Sequence, residues 1–276
     1  MLIETLCYRV FYRVKRQFGG MVMSRDILNN WVSRNNLAIR FSQKFSLNEK
    51  RILGIGLAFF DSRKKVRQIT KDDRTFRITV KDFITLSGVD PKHAYRDMES
   101  AASSMRKRYI AYKRERPVSA NKTVVEKVEV NWFDKVVYSK GGGYVILSFS
   151  DSVLPYITEL KGNFTTYRLK QAEKFRGLYT WDLLDLLLSY RKKQHIKDEY
   201  KPCTVELSVD ELRDFLQIPE SYKWQDIKRR VIEASKKELT TKDNWNFKWV
   251  VSQKFGRSIT HVEFTFNKKQ QRDLFK

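Results

Sequence analysis

The chain has 276 residues, with 55 Lys and Arg against 32 Asp and Glu, so its formal net charge at pH 7 is +23. A hydrophobic content of 41% excludes a disordered chain and suffices for one or two cores. No apolar run approaches the ~18 residues that a membrane span needs. So large an excess of cations favours a polyanionic partner, first of all nucleic acid. An anionic membrane surface is not expected, because the cations do not lie on one long amphipathic helix.

Cysteine and histidine are scarce in this sequence. Cys7 and Cys203 are too few for a disulfide framework, and a reducing cytoplasm is the expected location. His93, His195 and His261 match no zinc-ligand spacing. We therefore expect no metal and no other cofactor.

The first 34 residues are interpreted as an N-terminal extension, in which disorder is one alternative. The stretch MLIETLCYRVFYRVKRQFGG is basic and aromatic and has no apolar signal core. Met21 and Met23 follow it directly. It is either a segment upstream of the natural start or a basic arm that touches nucleic acid.

From residue 35 to residue 150 the sequence predicts a first module. Ser46 and Glu49 have the spacing of a capping box ahead of a broad apolar face. Gly88 ends a short helix, and three glycines at 141–143 form the turn between two strands. The predicted order is a helix to Phe60, a strand over Arg74–Val80, a short helix over Lys81–Leu86, a long helix over Pro91–Lys107, and strands that run to Phe149.

Residues 151–276 repeat this order. The sequence from Ile78 can be laid without a gap on the sequence from Leu207, and apolar residues meet apolar residues at nearly every core position. A repeat of this length is a whole domain. The predicted elements are a helix over Gly177–Lys192, a strand over Cys203–Ser208, a short helix over Val209–Leu216, a long helix over Trp224–Leu239, and strands over Asn244–Gln253 and Ser258–Phe266.

Helix, strand, short helix, long helix and hairpin is the order of a winged helix, in which the short helix sets the angle of the long one. We therefore predict an α+β fold of two tandem winged-helix domains, one over 35–150 and one over 151–276. The long helix of each domain is the expected reader of the major groove. The hairpin, or wing, is expected to touch the neighbouring backbone.

In the long helix of the second module, a rotation of 100° per residue about the helix axis places the apolar residues on one face, which is expected to pack in the core. That predicted face comprises Trp224, Ile227, Val231 and Ala234. Lys228 falls inside the apolar arc, so its side chain is expected at the rim of the core. The rest of the helix surface is left for solvent or for a ligand.

A polar strip of Gln225, Arg229 and Lys236 lies beside the predicted core face. Arginine can pair with guanine O6 and N7, and glutamine with adenine, so Gln225 and Arg229 are the predicted base readers. Lys223 and Lys236 are better suited to phosphate, and Arg230 is expected to be solvated. The alternative is a solvated basic face that contacts no DNA.

The equivalent helix of the first module has less capacity to read bases. Its strip holds Arg96, Ser100 and Lys107, with Lys92 and His93 near the helix start. Together with the cations at 106–108, these residues suit contact with the DNA backbone. We therefore predict that the second module supplies most of the sequence specificity.

The turn of the second wing, at residues 254–257, carries two cations around a glycine. Lys254 and Arg257 are predicted to contact phosphate, because the turn occupies the wing position. A plain hairpin turn is the alternative.

Beyond residue 34 the sequence resembles the theta-type plasmid replication initiators, whose members bind direct repeats called iterons at a plasmid origin. The resemblance runs in order from Asn35 to Phe266. It is carried by the segments NNLAIRFSQKFSLNEKRILGIGLAFFDS, YVILSFSDSVLPYITELKGNFTTYRLKQ, GLYTWDLLDLLLSYRK, SVDELRDFLQIPESYKWQDIKRRVIEASKKEL and GRSITHVEFTF.

The resemblance implies binding of iterons by a monomer, origin melting with host initiation factors and the helicase, and autoregulation by a homodimer in equilibrium with the monomer. In the family, basic residues of the second long helix touch bases, here at Lys228 and Arg229, with Lys223 just before the helix. Arg229 is therefore indicated by both the helical spacing and the resemblance. The family often has an aromatic residue where this chain has Ile227.

Three other functions are alternatives to that of an initiator. A winged-helix repressor would bind an isolated operator rather than direct repeats beside an AT-rich segment. A rolling-circle nicking enzyme needs a metal-binding histidine pair next to a catalytic tyrosine, which the separated histidines do not supply. An RNA-binding protein would carry an RNP-type motif, which the sequence lacks. The expected protein is an initiator and not an enzyme.

Overall fold

The computed structural model of the chain describes residues 27–41, 44–119, 122–160, 164–173, 175–191 and 198–269. Most of the interpreted N-terminal extension, including the stretch considered as a basic arm, lies outside these residues, as do Cys7 and His195. Trp31–Asn35, four of whose residues were assigned to that extension, form strand β1.

The first module begins with two helices, α1 (Asn36–Phe41) and α2 (Leu47–Phe59). The predicted capping box of α2 is present, because Glu49 N donates to Ser46 Oγ and Ser46 N donates to Glu49 Oε2. Its further elements are β2 (Thr75–Thr79), α3 (Val80–Ser87), α4 (Pro91–Met105), β3 (Tyr109–Ser119), β4 (Lys122–Asn131), β5 (Phe133–Ser139) and β6 (Tyr144–Phe149).

A joining segment and a central helix connect the two modules. They comprise α5 (Leu154–Ile157), β7 (Phe164–Arg168), α6 (Lys170–Glu173) and α7 (Leu178–Ser189). The second module then follows with β8 (Cys203–Ser208), α8 (Val209–Leu216), α9 (residues 224–242), β9 (Trp245–Phe255) and β10 (Ser258–Lys268).

Each module contains a three-stranded antiparallel sheet of the same topology. The strand order is β2-β6-β5 in the first module and β8-β10-β9 in the second. In both, the strand before the short helix pairs with the last strand of the wing, Ile78 opposite Val145 and Leu207 opposite Val262. The predicted internal repeat of two winged helices is therefore confirmed.

The first module also contains an inserted hairpin, β3–β4, between α4 and the wing strands. Its ladder runs from Tyr109 opposite Asn131 to the far end of both strands. From the sequence, this region was predicted only to be rich in strands. The hydroxyl of Tyr112 lies 2.8 Å from that of Tyr156, which ties the root of the hairpin to α5.

One continuous cluster of buried apolar side chains runs through both modules, from Ile27 to Phe266. α7 lies at its centre, since every residue from Thr180 to Ser189 is buried. It packs against α1 and β7 on one side and against α8 and α9 on the other. The helix predicted to open the second module thus contributes to the core of both, and the division at residue 150 stays a prediction.

Candidate nucleic-acid interface

Helix α9, the long helix of the second module, is not a regular α-helix over its whole length. Its middle part, Ile227–Glu233, is a π-helical segment, in which each N–H bonds five residues back and each turn holds more than 3.6 residues. Buried residues consequently recur every four positions, at Ile227, Val231, Ser235 and Leu239. Regular α-helical spacing would have put residue 234 in that row.

One prediction made from regular spacing is wrong for this reason. Ala234, predicted in the core, is exposed, and the side chain of Ser235 is buried instead. Lys228, predicted at the rim of the core, is exposed, with its Nζ 6.0 Å from the centre of the Trp249 ring. Trp224 is only partly buried and packs edge-on against Trp249, with ring centres 6.2 Å apart.

The first half of α9 presents three polar side chains on one surface. Gln225, Lys228 and Arg229 are exposed and line a shallow groove together with Asp226 and Glu233. The side chain of Arg229 is 73% exposed, and its Nη2 lies 3.7 Å from Asp226 Oδ1. Because that contact is too long for a hydrogen bond, the guanidinium is free to donate to a base. The two predicted base readers therefore lie close together, with Lys228 beside them.

The remaining cations of α9 differ in how firmly they are held. Nη1 of Arg230 lies 3.3 Å from Tyr222 Oη, and its guanidinium stacks 5.0 Å from the centre of that ring. The Tyr222 hydroxyl and the charge of Asp226 raise the pKa of Arg230, so this side chain is anchored as well as solvated. Lys223 is exposed, whereas Lys236 is half-buried beside Glu233.

The second wing projects beyond its sheet. β9 and β10 pair along their length, but β8 reaches only as far as His261 on β10. The turn is shorter than predicted, because β9 continues to Phe255 and only Gly256 and Arg257 lie in the turn. Gly256 has a φ of 58°, and a glycine at the first position of a two-residue hairpin turn is the type II′ pattern.

An irregularity in the wing changes which way its side chains face. Alternate side chains of β9, including Trp249 and Val251, lie on the face of the sheet that packs against α9. Trp249 Nε1 donates to Glu233 of α9 at 2.9 Å. The register then shifts, and Gln253 donates to Glu206 on the opposite, solvent face of the sheet. The shift therefore puts the next residue, Lys254, on the α9 side. Lys254 and Arg257 are both exposed, as the phosphate prediction requires.

The first module offers a sparser surface. The residues of α4 and its end that were predicted to contact DNA are all exposed: Lys92, His93, Arg96 and Lys107. Nη2 of Arg96 lies 3.2 Å from Asp97. Arg108, which belongs to the predicted cationic run, is not free, because its guanidinium donates to both carboxylate oxygens of Glu49 at 3.0 and 2.9 Å. That pair ties the end of α4 to the start of α2.

A buried charge network between the modules, which we call the joint network, was not predicted from the sequence. Nη2 of Arg34 in β1 donates to both oxygens of Asp185 in α7, at 2.9 and 2.8 Å, and to Tyr167 at 3.1 Å. Lys50 of α2 contacts Asp182 and lies 3.9 Å from Asp185. The sequence feature that could have predicted this network is a pair of aspartates three residues apart in a leucine-rich helix, because buried carboxylates need cations as partners.

Burial and charge together set the ionisation of the joint network. Burial alone would lower the pKa of Arg34, but the charge of Asp185, the neighbouring Tyr167 and the hydrogen bonds to both together outweigh it and raise the pKa. Burial raises the pKa of Asp182. Burial and the charge of Asp185 also raise the pKa of Tyr167, so its hydroxyl stays neutral and accepts from Trp181 Nε1 at 2.9 Å. The network thereby fixes β1 and α2 to α7.

Two further properties bear on what this surface can bind. In the part of the chain that the structure describes, no group of three or more His, Cys, Asp or Glu side chains is placed to hold a metal ion. Over the same residues, no helix combines the length and apolar character needed to cross a membrane. Apart from the half-buried Lys236, the residues of α9, α4 and the second wing that were predicted to contact DNA are exposed donors and cations, which suit an anionic ligand.

Two winged helices in tandem, each with a cationic exposed long helix, define a DNA-binding protein of the winged-helix class. The sequence matches the family described as Initiator Replication protein, WH1, over residues 31–188, and Initiator Rep protein, WH2, over residues 208–266. The chain belongs to this family of replication initiators, which is a DNA-binding family and not a known catalytic one. The WH1 match extends to residue 188 and so includes most of α7.

Two relatives cover most of the chain. It is 26% identical to the PI protein of Escherichia coli over 256 residues, which are 84% of this chain and 81% of that protein. It is also similar to a crystal structure of Pi initiator protein in complex with iteron DNA, with a TM-score of 0.69 and 22% identity. That likeness covers 88% of this chain and 99% of the solved one, and it supports the tandem winged-helix fold.

Proposed function

We propose that this protein initiates plasmid replication by binding iterons at the plasmid origin as a monomer and promoting the opening of the duplex there. The observation that carries the proposal is the exposed cluster of Gln225, Lys228 and Arg229 on the first half of α9. The excess of cations in the chain supports nucleic acid as the ligand. The solved complex of the similar Pi initiator protein contains iteron DNA, which supports direct repeats as the site.

The two modules divide the work of recognition. Gln225, Lys228 and Arg229 read base edges in the major groove, where a bidentate arginine selects guanine. Phosphate is held by residues beside α9 and in the second wing, namely Lys223, Lys236, Lys254 and Arg257. In the first module Lys92, His93, Arg96 and Lys107 contact the backbone. The two long helices enter successive major grooves about 34 Å apart, so that one monomer covers about two turns of the duplex.

Footprinting on the DNA that flanks the protein's own gene tests the proposed role. Protected direct repeats beside an AT-rich segment are expected for an initiator. A single protected operator would instead support the alternative, a winged-helix transcriptional repressor without an initiator role. No protection above that of random DNA would refute both.

Binding measurements on the protected duplex and on random DNA test the residue roles. Arg229→Ala should lose about 1–3 kcal/mol on the protected duplex and relax its sequence preference. Lys107→Ala should weaken binding to both duplexes and flatten the salt dependence by about one unit. Arg63→Ala is the matched control, because Arg63 is 90% exposed and lies outside the proposed interface. Equal losses for Arg229→Ala on both duplexes would contradict base reading.

We also infer that a homodimer in equilibrium with the monomer represses the protein's own gene, and that the bound monomer works with host initiation factors and the helicase in the bacterial cytoplasm. Membership of the initiator family supports these roles, which require binding and no catalysis by the chain itself. Sedimentation over a range of protein concentrations, with a reporter driven by the gene's own promoter, tests them. A monomer at all concentrations, or an unrepressed reporter, would contradict autoregulation by a dimer.

A further inference from the structure

Ala234 is the single apolar residue on the exposed side of α9, every residue of which the structure describes. Regular helical spacing placed this residue in the core, whereas the π-helical segment turns it outward. The exposed residues that share the side with it are polar or charged: Gln225, Lys228, Arg229, Arg230, Lys237 and Thr241. The methyl group of Ala234 therefore interrupts a surface made of hydrogen-bond donors and cations.

The methyl group is not covered by its long neighbours. Arg230, one turn before Ala234, is held back toward the start of the helix by Tyr222 and Asp226, at 3.3 Å in both contacts. Glu238, one turn after it, is directed away, because it accepts from the backbone N of Gly177 at 2.9 Å. A small side chain with these two neighbours turned aside allows the helix backbone to approach a flat surface closely.

Ala234 also lies in line with a predicted base reader. A π-helical turn holds between four and five residues, so Arg229 and Arg230, five and four positions before Ala234, both lie about one turn from it on the exposed side. At the α-helical rise of 1.5 Å per residue, which a wider π-helical turn does not exceed, five residues advance the helix by at most about 7.5 Å, or about two base-pair steps of 3.4 Å. A base contacted at Ala234 would therefore lie within about two base pairs of the base that Arg229 reads.

We propose that Ala234 contacts the C5-methyl group of a thymine in the major groove and so adds a thymine to the sequence that α9 selects. In that groove thymine alone presents a methyl group, and apolar side chains such as alanine recognise it by contact. This inference rests on the proposed function, in which α9 lies in the major groove. It assigns to Ala234 a discrimination that hydrogen bonds from Gln225 and Arg229 do not supply.

Replacing thymines one at a time by deoxyuridine tests the inference, because deoxyuridine lacks only the methyl group. The probe is the duplex that the full-length wild-type protein enriches from a random library. Wild type should lose about three- to fourfold in affinity at one thymine, the worth of one buried methyl-sized group. Ala234→Gly should bind the two duplexes equally. Since both duplexes are compared with the same variant, any effect of glycine on the helix itself cancels.

Two results would overturn the inference: a scan in which no thymine is sensitive, or a sensitive thymine whose effect persists in Ala234→Gly. Arg229→Ala on the same duplexes separates this failure from failure of the proposed function. If Arg229→Ala loses sequence preference while the deoxyuridine scan is flat, only the thymine contact is refuted. If wild type enriches no duplex, base reading by α9 fails and the inference fails with it.

Discussion

Replacing Asp185 by alanine should destabilise the protein by about 3–5 kcal/mol, because removing one partner of a buried ion pair leaves the other charge uncompensated. The side chain of Asp185 is 3% exposed and that of Arg34 is 11% exposed, so water cannot replace the lost carboxylate. Arg34 would keep only the neutral hydroxyl of Tyr167 as a partner in this network. Lys50 would be affected less, because it retains Asp182.

Urea unfolding at pH 7, followed by circular dichroism and by tryptophan fluorescence, measures this loss. Because the apolar core is continuous through both modules, the two probes should report one transition. With a denaturant slope of about 2–3 kcal/mol per molar, the midpoint should fall by about 1–2.5 M.

Two variants control the experiment. Arg34→Met combined with Asp185→Leu replaces the pair by apolar side chains and should recover most of the lost stability. Asp61→Ala breaks the exposed pair with Arg63, whose side chain is 90% exposed, and should cost less than about 1 kcal/mol. A loss below about 1 kcal/mol for Asp185→Ala, or a double variant less stable than the single one, would refute the reasoning.

Two further changes test the packing of α9. Burial would raise the pKa of Glu238, but hydrogen bonds from Lys242, Gly177, Thr180 and Arg176 together outweigh it and leave the pKa below its ordinary value of 4.5. The ionised carboxylate therefore stabilises the fold above pH 4.5, and this contribution is lost as the pH falls through the lowered pKa. Glu238→Gln should cost about 1 kcal/mol at pH 7, and in urea titrations the difference from wild type should vanish on acidification; a difference that widens would contradict this. Ser235→Ala should leave stability unchanged or raise it by up to about 1 kcal/mol, since the buried Ser235 Oγ has no hydrogen-bond partner among the described residues. A lowered melting temperature for Ser235→Ala would show that the hydroxyl does form a bond.

The fold was predictable where it follows from local chemistry. Ser208 caps α8 with Glu211 in a capping box, and the sequence analysis placed both β8 and α8 at their observed bounds. Gly88 ends α3 in the left-handed conformation, as its position after the apolar pattern predicted. The two modules were recognisable because the same local signals occur in the same order twice.

The features that were missed depend on contacts between distant parts of the chain. The π-helical segment of α9 moves Ala234 outward and Ser235 inward, which no regular helical spacing predicts. The joint network needs Arg34 and Asp185, which are far apart in sequence, to meet through tertiary packing. The shift in the wing register that turns Lys254 toward α9 is likewise a property of the paired strands.

With both long helices on one duplex, as proposed above, the sharing of α7 between the modules would make binding sensitive to helical phase along the DNA. Both long helices are tied to α7 or its neighbours, α4 through the Arg108–Glu49 pair on α2 and α9 by direct packing. One base pair inserted between their two contacts rotates the second groove by about 34–36° about the duplex axis. The joint network holds the two modules together, so the second module does not follow this rotation of the groove. Origins used by this protein should therefore keep a constant number of base pairs between the two contacts.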